Sequence, residues 1–303
     1  MGVVMIKELG MPYMGSKRKL SKKIVDEILN ANPNTKYFFD LFGGGGAVSF
    51  EALQRTKIQK VHYNELNTGV AELLKKIQKD GVIEEFYQWI DRDTFNKHKL
   101  DSDWFGGLCK VVWSFGNNQK KYLFGKDVEP IKKIGHLVSV NKCTKSLNKL
   151  SKIMGVNIDS RILDIDTHSI RKKIASFSKN RCFGLQQLQQ LQRLEQLEQL
   201  QQLEIHNKSY NDIMIDTPID ETIIYLDPPY EKTEEYAEGG FDHRELEDWI
   251  EISPYKIYVS SYDFNLPKIA SFKHRSSLSA TANNEVTENL YCNKEHKDLT
   301  RLF

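Results

Sequence analysis

Residues 223–230 hold the side chains best suited to chemistry on a planar, amino-bearing base. They read Ile-Ile-Tyr-Leu-Asp-Pro-Pro-Tyr, an apolar run of strand length that leads into Asp227, Pro228, Pro229 and Tyr230. Two consecutive prolines cannot continue a strand or a helix interior, so the chain must turn there. Ligands bind at the carboxyl ends of strands in α/β sheets, where Asp227 and the Pro228 carbonyl could accept both hydrogens of an exocyclic amine. Tyr230 could stack on the ring; the plain alternative is a proline turn with an incidental Asp.

A second stretch is typical of a site for a nucleotide-like ligand. Residues 37–42 have a buried-strand pattern, residues 43–46 are four glycines, and residues 47–53 favour a helix. This arrangement lets the backbone approach a ligand closely. The glycines lack the G-x-G-x-x-G spacing of dinucleotide-binding folds, so the turn alone is weak evidence. Glu65 directly follows the next strand pattern, residues 60–64, and lies about 20 residues after the glycine turn. An acidic residue at this position can bind ribose hydroxyls.

Together these motifs resemble those of the Dam-like (D12 class) DNA adenine-N6 methyltransferases. The D-P-P-Y catalytic motif of that family fits residues 227–230. Its D-x-F-x-G-x-G pattern, which implies cofactor contact, fits Asp40, Phe42, Gly44 and Gly46. The motif order is that of the subgroup that places target recognition between the halves of the catalytic fold. The resemblance is expected to cover nearly the whole chain except residues 185–203.

The resemblance implies S-adenosylmethionine as the cofactor. Tyr13 and Lys17 fall where the family has an aromatic residue, usually Trp, and a lysine that help to hold it. Tyr210 stands at the position of an aromatic residue that contacts the cofactor's adenine, although Ser209 replaces the usual acidic neighbour. Asp227 is expected to contact the cofactor as well as the target base.

The implied reaction is site-specific methylation of adenine N6 in double-stranded DNA, with the base flipped out of the helix and stacked on Tyr230. In the family, Asp at the first motif position favours adenine and Ser favours cytosine. Methylation of cytosine N4 in DNA, methylation of adenine N6 in RNA, and a catalytically silent nucleic-acid-binding protein are the alternatives. Restriction-modification with a partner restriction endonuclease, phage self-protection and epigenetic marking all stay open.

Alternating strand and helix patterns predict an α/β fold with a doubly wound, mostly parallel, Rossmann-like methyltransferase sheet. We expect residues 1–94 and 203–303 to form the catalytic domain. Residues 95–202 are expected to form an inserted, largely helical target-recognition domain.

The net charge of +2 conceals a strong separation of charge along the chain. Residues 95–182 contain 18 Lys and Arg against 7 Asp and Glu, whereas residues 204–303 contain 10 against 20. A strongly basic segment is what binding to DNA phosphates requires. A solvated cationic face is the alternative, but the neighbouring nucleobase motif favours DNA.

Within this basic segment, residues 113–125 mix aromatic residues, amides and lysines around a glycine-bearing turn. Asn can pair with adenine in the major groove, and Lys can contact guanine or phosphate. The predicted DNA contacts are Asn117, Asn118, Lys120 and Lys121. The aromatic residues, of which most are expected to form the core of the domain, are Trp113, Phe115, Tyr122 and Phe124.

Leucine recurs at every third position from Leu185 to Leu203, mostly separated by Gln and Glu. These residues favour a helix, and no Gly or Pro interrupts them. A period of three falls short of 3.6, so the leucines wind around the helix and a coiled coil is disfavoured. We expect one helix over residues 185–203, about 30 Å long, with leucines partly covered by the recognition domain. Self-association and a longer DNA footprint are alternatives.

Composition is that of an intracellular enzyme. No apolar stretch approaches the ~20 residues of a membrane span, and the N-terminus lacks a signal-peptide core. The cysteines (Cys109, Cys143, Cys182 and Cys292) have no C-x-x-C spacing, which favours reduced thiols over disulfides or zinc ligands. We therefore expect a cytoplasmic protein with no membrane contact and no metal.

Overall fold

The structure, a computed structural model, describes residues 9–177, 184–197, 202–229, 241–275 and 285–294. Tyr230, the predicted stacking residue, lies outside these ranges. The chain divides into two compact units. The first comprises Met1–Gly10, Gly15–Asn67 and Leu200–Phe303, and the second comprises Met11–Met14 and Thr68–Gln199.

The first unit contains a seven-stranded sheet. Its strands are β1 (Tyr37–Asp40), β2 (Lys60–Asn64), β3 (Leu203–His206), β4 (Thr222–Leu226), β5 (Lys256–Ser261), β6 (Lys268–Arg275) and β7 (Glu285–Cys292). Their order across the sheet is β3-β2-β1-β4-β5-β7-β6. Strands β1 to β5 pair in parallel, while β7 runs antiparallel to both β5 and β6. The predicted mostly parallel α/β sheet is confirmed.

The central strands β1 and β4 are apolar because both of their faces are covered. Phe38, Phe39 and Ile224 are fully buried, as expected for the middle of a parallel sheet. From β1 the chain proceeds to β2 and β3 on one side, and β4 and β5 lie on the other side. This reversal between β1 and β4 creates a switch point, and ligands of such sheets bind there, beyond the carboxyl ends of the strands.

Three helices accompany this sheet within the described residues: α1 (Ser21–Ala31), α2 (Ala47–Leu53) and α10 (His243–Ile252). Helix α1 buries Ile24, Val25 and Ile28, whose spacing forms one helical face. The Asp242 side chain accepts the Glu245 N–H and caps the start of α10. The helix predicted over residues 47–53 is confirmed.

The second unit is helical. Its helices, among the described residues, are α3 (Thr68–Asp80), α4 (Arg92–His98), α5 (Trp104–Val112), α6 (Glu129–Ser139), α7 (Thr144–Met154), α8 (Thr167–Ser176) and α9 (Gln186–Glu195). Asp91, Asp103 and Asp166 cap α4, α5 and α8 through their side chains. No helix in the described part of the chain is both long and apolar enough to cross a membrane.

Helix α3 belongs to the second compact unit, although the sequence analysis placed residues 1–94 in the catalytic domain. It packs along α5 through glycines. A Cβ on Gly107 would lie 1.9 Å from the carbonyl oxygen of Gly69, so only glycine permits this approach. The functional boundary between the predicted domains, at residues 94 and 95, stays a prediction.

The leucine repeat forms a shorter helix than predicted. Helix α9 ends at Glu195, and Leu203 is the first residue of β3, so the predicted helix over residues 185–203 is wrong at its carboxyl end. Leu188 is fully buried, and so is Gln187. Residues at every third position lie on successive faces of a helix, so the buried side chains of α9 are not confined to one face. Helix α9 packs against α5 and α8 of the same unit.

Candidate active site

Three acidic residues lie at the carboxyl ends of neighbouring parallel strands. Asp40 ends β1, Glu65 follows β2, and Asp227 follows β4. Asp40 pairs in register with Tyr63 and Tyr225, so Glu65 and Asp227 each lie two residues further along the strand direction. All three residues are therefore at one edge of the sheet, beside the switch point.

The glycine turn after β1 is held against β2. The Tyr63 hydroxyl donates to the Gly44 carbonyl at 2.7 Å, and the Gly43 N–H donates to the Asn64 carbonyl at 2.8 Å. A Cβ on Gly43 would lie 2.2 Å from the Tyr63 ring. Gly44 and Gly46 have φ angles of 49° and 71°, in the left-handed region that favours glycine. The turn therefore brings backbone to the carboxyl edge of the sheet, where a fold of this class has its ligand crevice.

Asp40 is a buried carboxyl group in this crevice. Its Oδ2 accepts a hydrogen bond from the Ser49 hydroxyl of α2 at 2.7 Å. Its Oδ1 is buried without a hydrogen-bond partner among the described residues. Burial raises the pKa of Asp40 to about 7; the Ser49 hydrogen bond opposes this shift, and the charge of Asp227 adds to it. Asp40 can thus exchange a proton near neutral pH, and Oδ1 can meet a ligand.

Lys17 joins the N-terminal segment to the D-P-P-Y motif. Its Nζ lies 2.7 Å from Oδ1 of Asp227 and 3.7 Å from Oε1 of Glu288, a residue of β7. Lys17 and Glu288 are buried, while the Asp227 side chain is 21% exposed. Burial alone would lower the pKa of Lys17, but the two carboxylates outweigh it and the pKa is raised. The cluster thus holds one ammonium group and two carboxyl groups.

Glu65 is fixed at the end of β2. Its Oε1 accepts the backbone N–H of Asn67 at 2.7 Å, and its own N–H donates to the His206 carbonyl at 3.2 Å. The Asn207 amide donates to the Glu65 carbonyl at 2.7 Å. With 7% of its surface exposed, Glu65 is placed by the loops after β2 and β3.

Aromatic rings pack around Phe42, the residue directly before the glycine turn. The Phe42 and Tyr210 rings stack with centroids 5.4 Å apart, and Phe241 meets Phe42 edge-on at 5.5 Å. Trp249 of α10 meets Tyr210 edge-on at 5.6 Å. The Tyr210 hydroxyl is buried without a hydrogen-bond partner among the described residues. This aromatic cluster provides a flat apolar surface and the buried hydroxyl group of Tyr210.

A family model of D12 class N6 adenine-specific DNA methyltransferases matches residues 13–124 and 170–298. The chain belongs to this family. It is accordingly a methyltransferase, and the resemblance found in the sequence is confirmed. The expected extent of that resemblance was wrong, because the match includes the leucine repeat and omits residues 125–169. The omitted stretch contains α6 and α7.

Two solved structures match most of this methyltransferase chain at low identity. A proposed methyltransferase, yhhF, from Escherichia coli is 12% identical with a TM-score of 0.33, over 94% of this chain and 91% of that chain. A proposed methylase from Haemophilus influenzae is 15% identical with a TM-score of 0.29, over 90% of this chain and 88% of that chain. A search of curated proteins gives no match.

The predicted DNA-contact segment of this D12 methyltransferase forms a hairpin in the second unit. Ser114 and Tyr122 pair as an antiparallel bridge, and Phe115–Asn117 form a 3-10 turn between them. Lys120 and Lys121 are exposed. The hairpin therefore presents two cations on a defined loop.

Most aromatic residues of the hairpin form core, as predicted. Trp113, Tyr122 and Phe124 are buried. Phe115 differs, since 61% of its surface is exposed at the turn. The exposed ring lines a shallow cleft with Lys120 and Lys121.

The two predicted asparagine contacts are already engaged within the protein. Asn117 Oδ1 accepts from the Gln190 amide of α9 at 3.0 Å. Asn118 Oδ1 accepts the backbone N–H groups of Lys120 and Lys121, both at 3.0 Å. A bidentate contact with adenine needs both the oxygen and the nitrogen of an amide, so these bonds would first have to break. Asn118 instead fixes the loop that carries the lysines.

Sequence reasoning missed three residues that shape the site: Ser49, Asn64 and Glu288. Glu288 had a signal, because it occupies an inward position of an alternating strand whose Leu290 and Cys292 are buried. A charged residue at such a position requires a buried partner. The Asn64 amide, which donates to the carbonyl oxygens of Leu41 and Lys208, had no distinguishing pattern.

Among the other predicted residues, Pro228 is buried and Pro229 is half-buried directly after Asp227. Tyr13 is half-buried and belongs to the second compact unit. Its predicted contact with the cofactor stays a prediction, as does the stacking role of Tyr230.

Proposed function

We propose that this protein transfers a methyl group from S-adenosylmethionine to adenine N6 in double-stranded DNA. The main support is the placement of Asp227, which leaves the end of β4 at the switch point with its Oδ1 bound by Lys17. One carboxylate oxygen is thereby oriented, and the other can accept a hydrogen from an amine. The family assignment supplies the class of substrate.

The residues of the crevice fit S-adenosylmethionine group by group. Glu65 offers a carboxylate for the ribose hydroxyls, and the Phe42–Tyr210 pair offers a flat surface for the adenine. Asp40 Oδ1 and the Tyr210 hydroxyl are buried polar atoms without a partner in the part of the chain that the structure describes, and such atoms cost free energy unless a ligand satisfies them. Lys17, with Tyr13, is the predicted holder of the methionine end. When bound, the cofactor supplies an electrophilic methyl group.

Asp227 would activate the target amine by accepting one of its hydrogens, while the Pro228 carbonyl accepts the other. Both bonds favour a tetrahedral nitrogen whose lone pair would be free to attack the methyl carbon of the cofactor. The methyl–sulfur bond would break, and the nitrogen would then release one of its hydrogens as a proton. Positive charge then develops on nitrogen, so a nearby negative charge stabilises the transition state more than the ground state. Lys17 alone would cancel the Asp227 charge. Glu288 restores a net charge of −1 when both carboxyl groups are ionised.

The second unit would supply the DNA contacts. Adenine N6 in a stacked duplex cannot reach a buried methyl donor, so the base has to leave the helix, at a cost of a few kcal/mol. Phosphate contacts can offset this cost, and residues 95–182 carry the excess of Lys and Arg. Lys120 and Lys121 are the proposed contacts on the hairpin, with Tyr230 as the stacking partner of the flipped base.

Modification-sensitive sequencing of DNA from cells that express the protein tests this proposal, because it reports the base and the site together. We expect N6-methyladenine within one short recognition sequence, and no such mark with Asp227→Ala. Modified cytosine N4 or a mark confined to RNA would replace the proposed substrate, and no mark in any nucleic acid would favour a silent relative.

Base flipping has its own test. A 2-aminopurine placed at the verified target position should brighten when the enzyme and cofactor bind. If it stays dark while the site is still methylated, flipping into this crevice is wrong and a single-stranded substrate becomes the better account.

A further inference from the structure

Three side chains of metal-binding type meet where β2 pairs with β3: His62, Glu204 and His206. His62 Nδ1 lies 3.1 Å from His206 Nε2 and 3.9 Å from Glu204 Oε2. His206 Nε2 lies 3.6 Å from Glu204 Oε1. One donor atom from each residue thus falls within 4.8 Å of the other two.

The geometry of strands β2 and β3 brings the three side chains together. Glu204 and His206 are two residues apart on β3, so their side chains share one face of the sheet. His62 is the register partner of Glu204 on β2 and faces the same way. The His62 ring is fixed by parallel stacking on Phe39 with centroids 3.9 Å apart. The three donors are therefore brought together by the backbone and by a buried ring.

We propose that His62, Glu204 and His206 form a Zn²⁺ site. Two imidazole nitrogens and one carboxylate oxygen are a common zinc donor set, with bonds of about 2.0–2.2 Å. Tetrahedral bonds of that length separate neighbouring donors by roughly 3.3 Å. The two nitrogen donors are 3.1 Å apart, and a single carboxylate oxygen of Glu204 lies within 4.8 Å of both, so the Glu204 side chain has to move closer to complete the site. A water molecule would fill the fourth position.

Lys60 is the competitor for this site. Its ammonium group pairs with Oε2 of Glu204. Both side chains of that pair are substantially exposed, so the pair is weak and exchangeable. Zinc binding would require Glu204 to turn from Lys60 toward the two histidines, and removal of the Lys60 charge should therefore strengthen zinc binding.

The proposed ion would fasten an outer strand of the sheet. Among the described strands, β3 lies at the end of the sheet and pairs with β2 alone. It is also the first strand after the second unit in the chain. Asn207, which directly follows the proposed ligand His206, supports Glu65. The cysteine spacing on which the expectation of no metal rested could not reveal this site.

Competition with a chromogenic zinc chelator tests the proposal, using the full-length protein without a histidine tag. The wild-type protein should bind one Zn²⁺ with micromolar or tighter affinity. His206→Ala and Glu204→Gln should each weaken binding by about tenfold or more, and Lys60→Met should strengthen it. Zn²⁺ should also raise the melting temperature of the wild-type protein, by linkage. Co²⁺ should give visible absorption typical of a tetrahedral site.

His98→Ala is the matched control, because His98 lies in the second unit with Asp101 as an acidic partner. This variant should bind zinc as the wild type does. Failure of the wild-type protein to bind zinc would overturn the proposal. Zinc binding that survives unchanged in a folded His206→Ala protein would overturn it equally, since the ion would then lie elsewhere.

Discussion

The Lys17 ammonium group donates to Asp227 Oδ1 at 2.7 Å, across 210 residues of sequence. This contact joins two motifs that sequence reasoning had assigned to different partners, the lysine to the cofactor and the aspartate mainly to the target base. Burial raises the pKa of Asp227, and Lys17 opposes that shift. Lys17 therefore helps to keep the Asp227 carboxylate ionised.

Lys17→Met should move the acid limb of the pH–rate profile for methyl transfer to higher pH. Without the ammonium group, the unopposed burial of Asp227 raises its pKa further, so the ionised fraction at a given pH falls. Lys17→Arg keeps the charge and serves as the control. If the acid limb stays in place in a folded Lys17→Met protein, the contact does not govern the ionisation of Asp227.

Asp40 should make the protein less stable as the pH rises toward 7. Its pKa is raised by burial from 3.8 to about 7, so the folded state binds more protons than the unfolded state between these values. The free energy of unfolding should therefore fall across this window, by roughly 1–4 kcal/mol, and level off above it.

Urea denaturation of the wild type and Asp40→Asn at several pH values measures this contribution. The asparagine oxygen can still accept the Ser49 hydrogen bond, and the pH dependence of the variant should be flatter. Asp212→Asn, a change at an exposed carboxylate, should keep the wild-type dependence. Equal slopes for all three proteins would show that Asp40 does not hold a proton.

The sequence predicted the residues whose type is dictated by local structure. An apolar run predicts strand β1. The glycines that follow predict a turn with left-handed backbone, and the helix-favouring residues after them predict α2. The role of Glu288 was not predicted because it depends on an ion pair with Lys17, which lies in a distant segment of the sequence. The end of α9 escaped prediction because leucine and glutamine favour a helix locally, so the repeat gives no signal that the helix stops at Glu195.

Glu65→Ala should weaken binding of S-adenosylmethionine by roughly one to two decades, because a charge-assisted acceptor is worth about 1.5–3 kcal/mol. Isothermal calorimetry measures this change. Glu65→Gln is the matched variant, since its amide oxygen can still accept the Asn67 N–H while the charge is lost. It should retain the wild-type melting temperature and still bind the cofactor less tightly. Unchanged affinity in both variants would remove Glu65 from the cofactor site.

Lys120→Gln with Lys121→Gln should weaken DNA binding and reduce the slope of log affinity against log salt by about 2, since two phosphate contacts are lost. Fluorescence anisotropy at several salt concentrations measures the slope. Lys145→Gln with Lys149→Gln removes the same charge from exposed positions on α7, outside the family match. A similar loss in both double variants would mean that the hairpin makes no special contact.

The central claim is that the protein methylates adenine N6 in DNA and that Asp227 carries the reaction. The most direct measurement is mass spectrometry of nucleosides from unmethylated duplex DNA after incubation with purified protein and S-adenosylmethionine. We predict N6-methyldeoxyadenosine with the wild type, and a rate lower by at least ~10²-fold with a folded Asp227→Ala variant. N4-methyldeoxycytidine as the product, or full activity without the Asp227 carboxylate, would contradict the account.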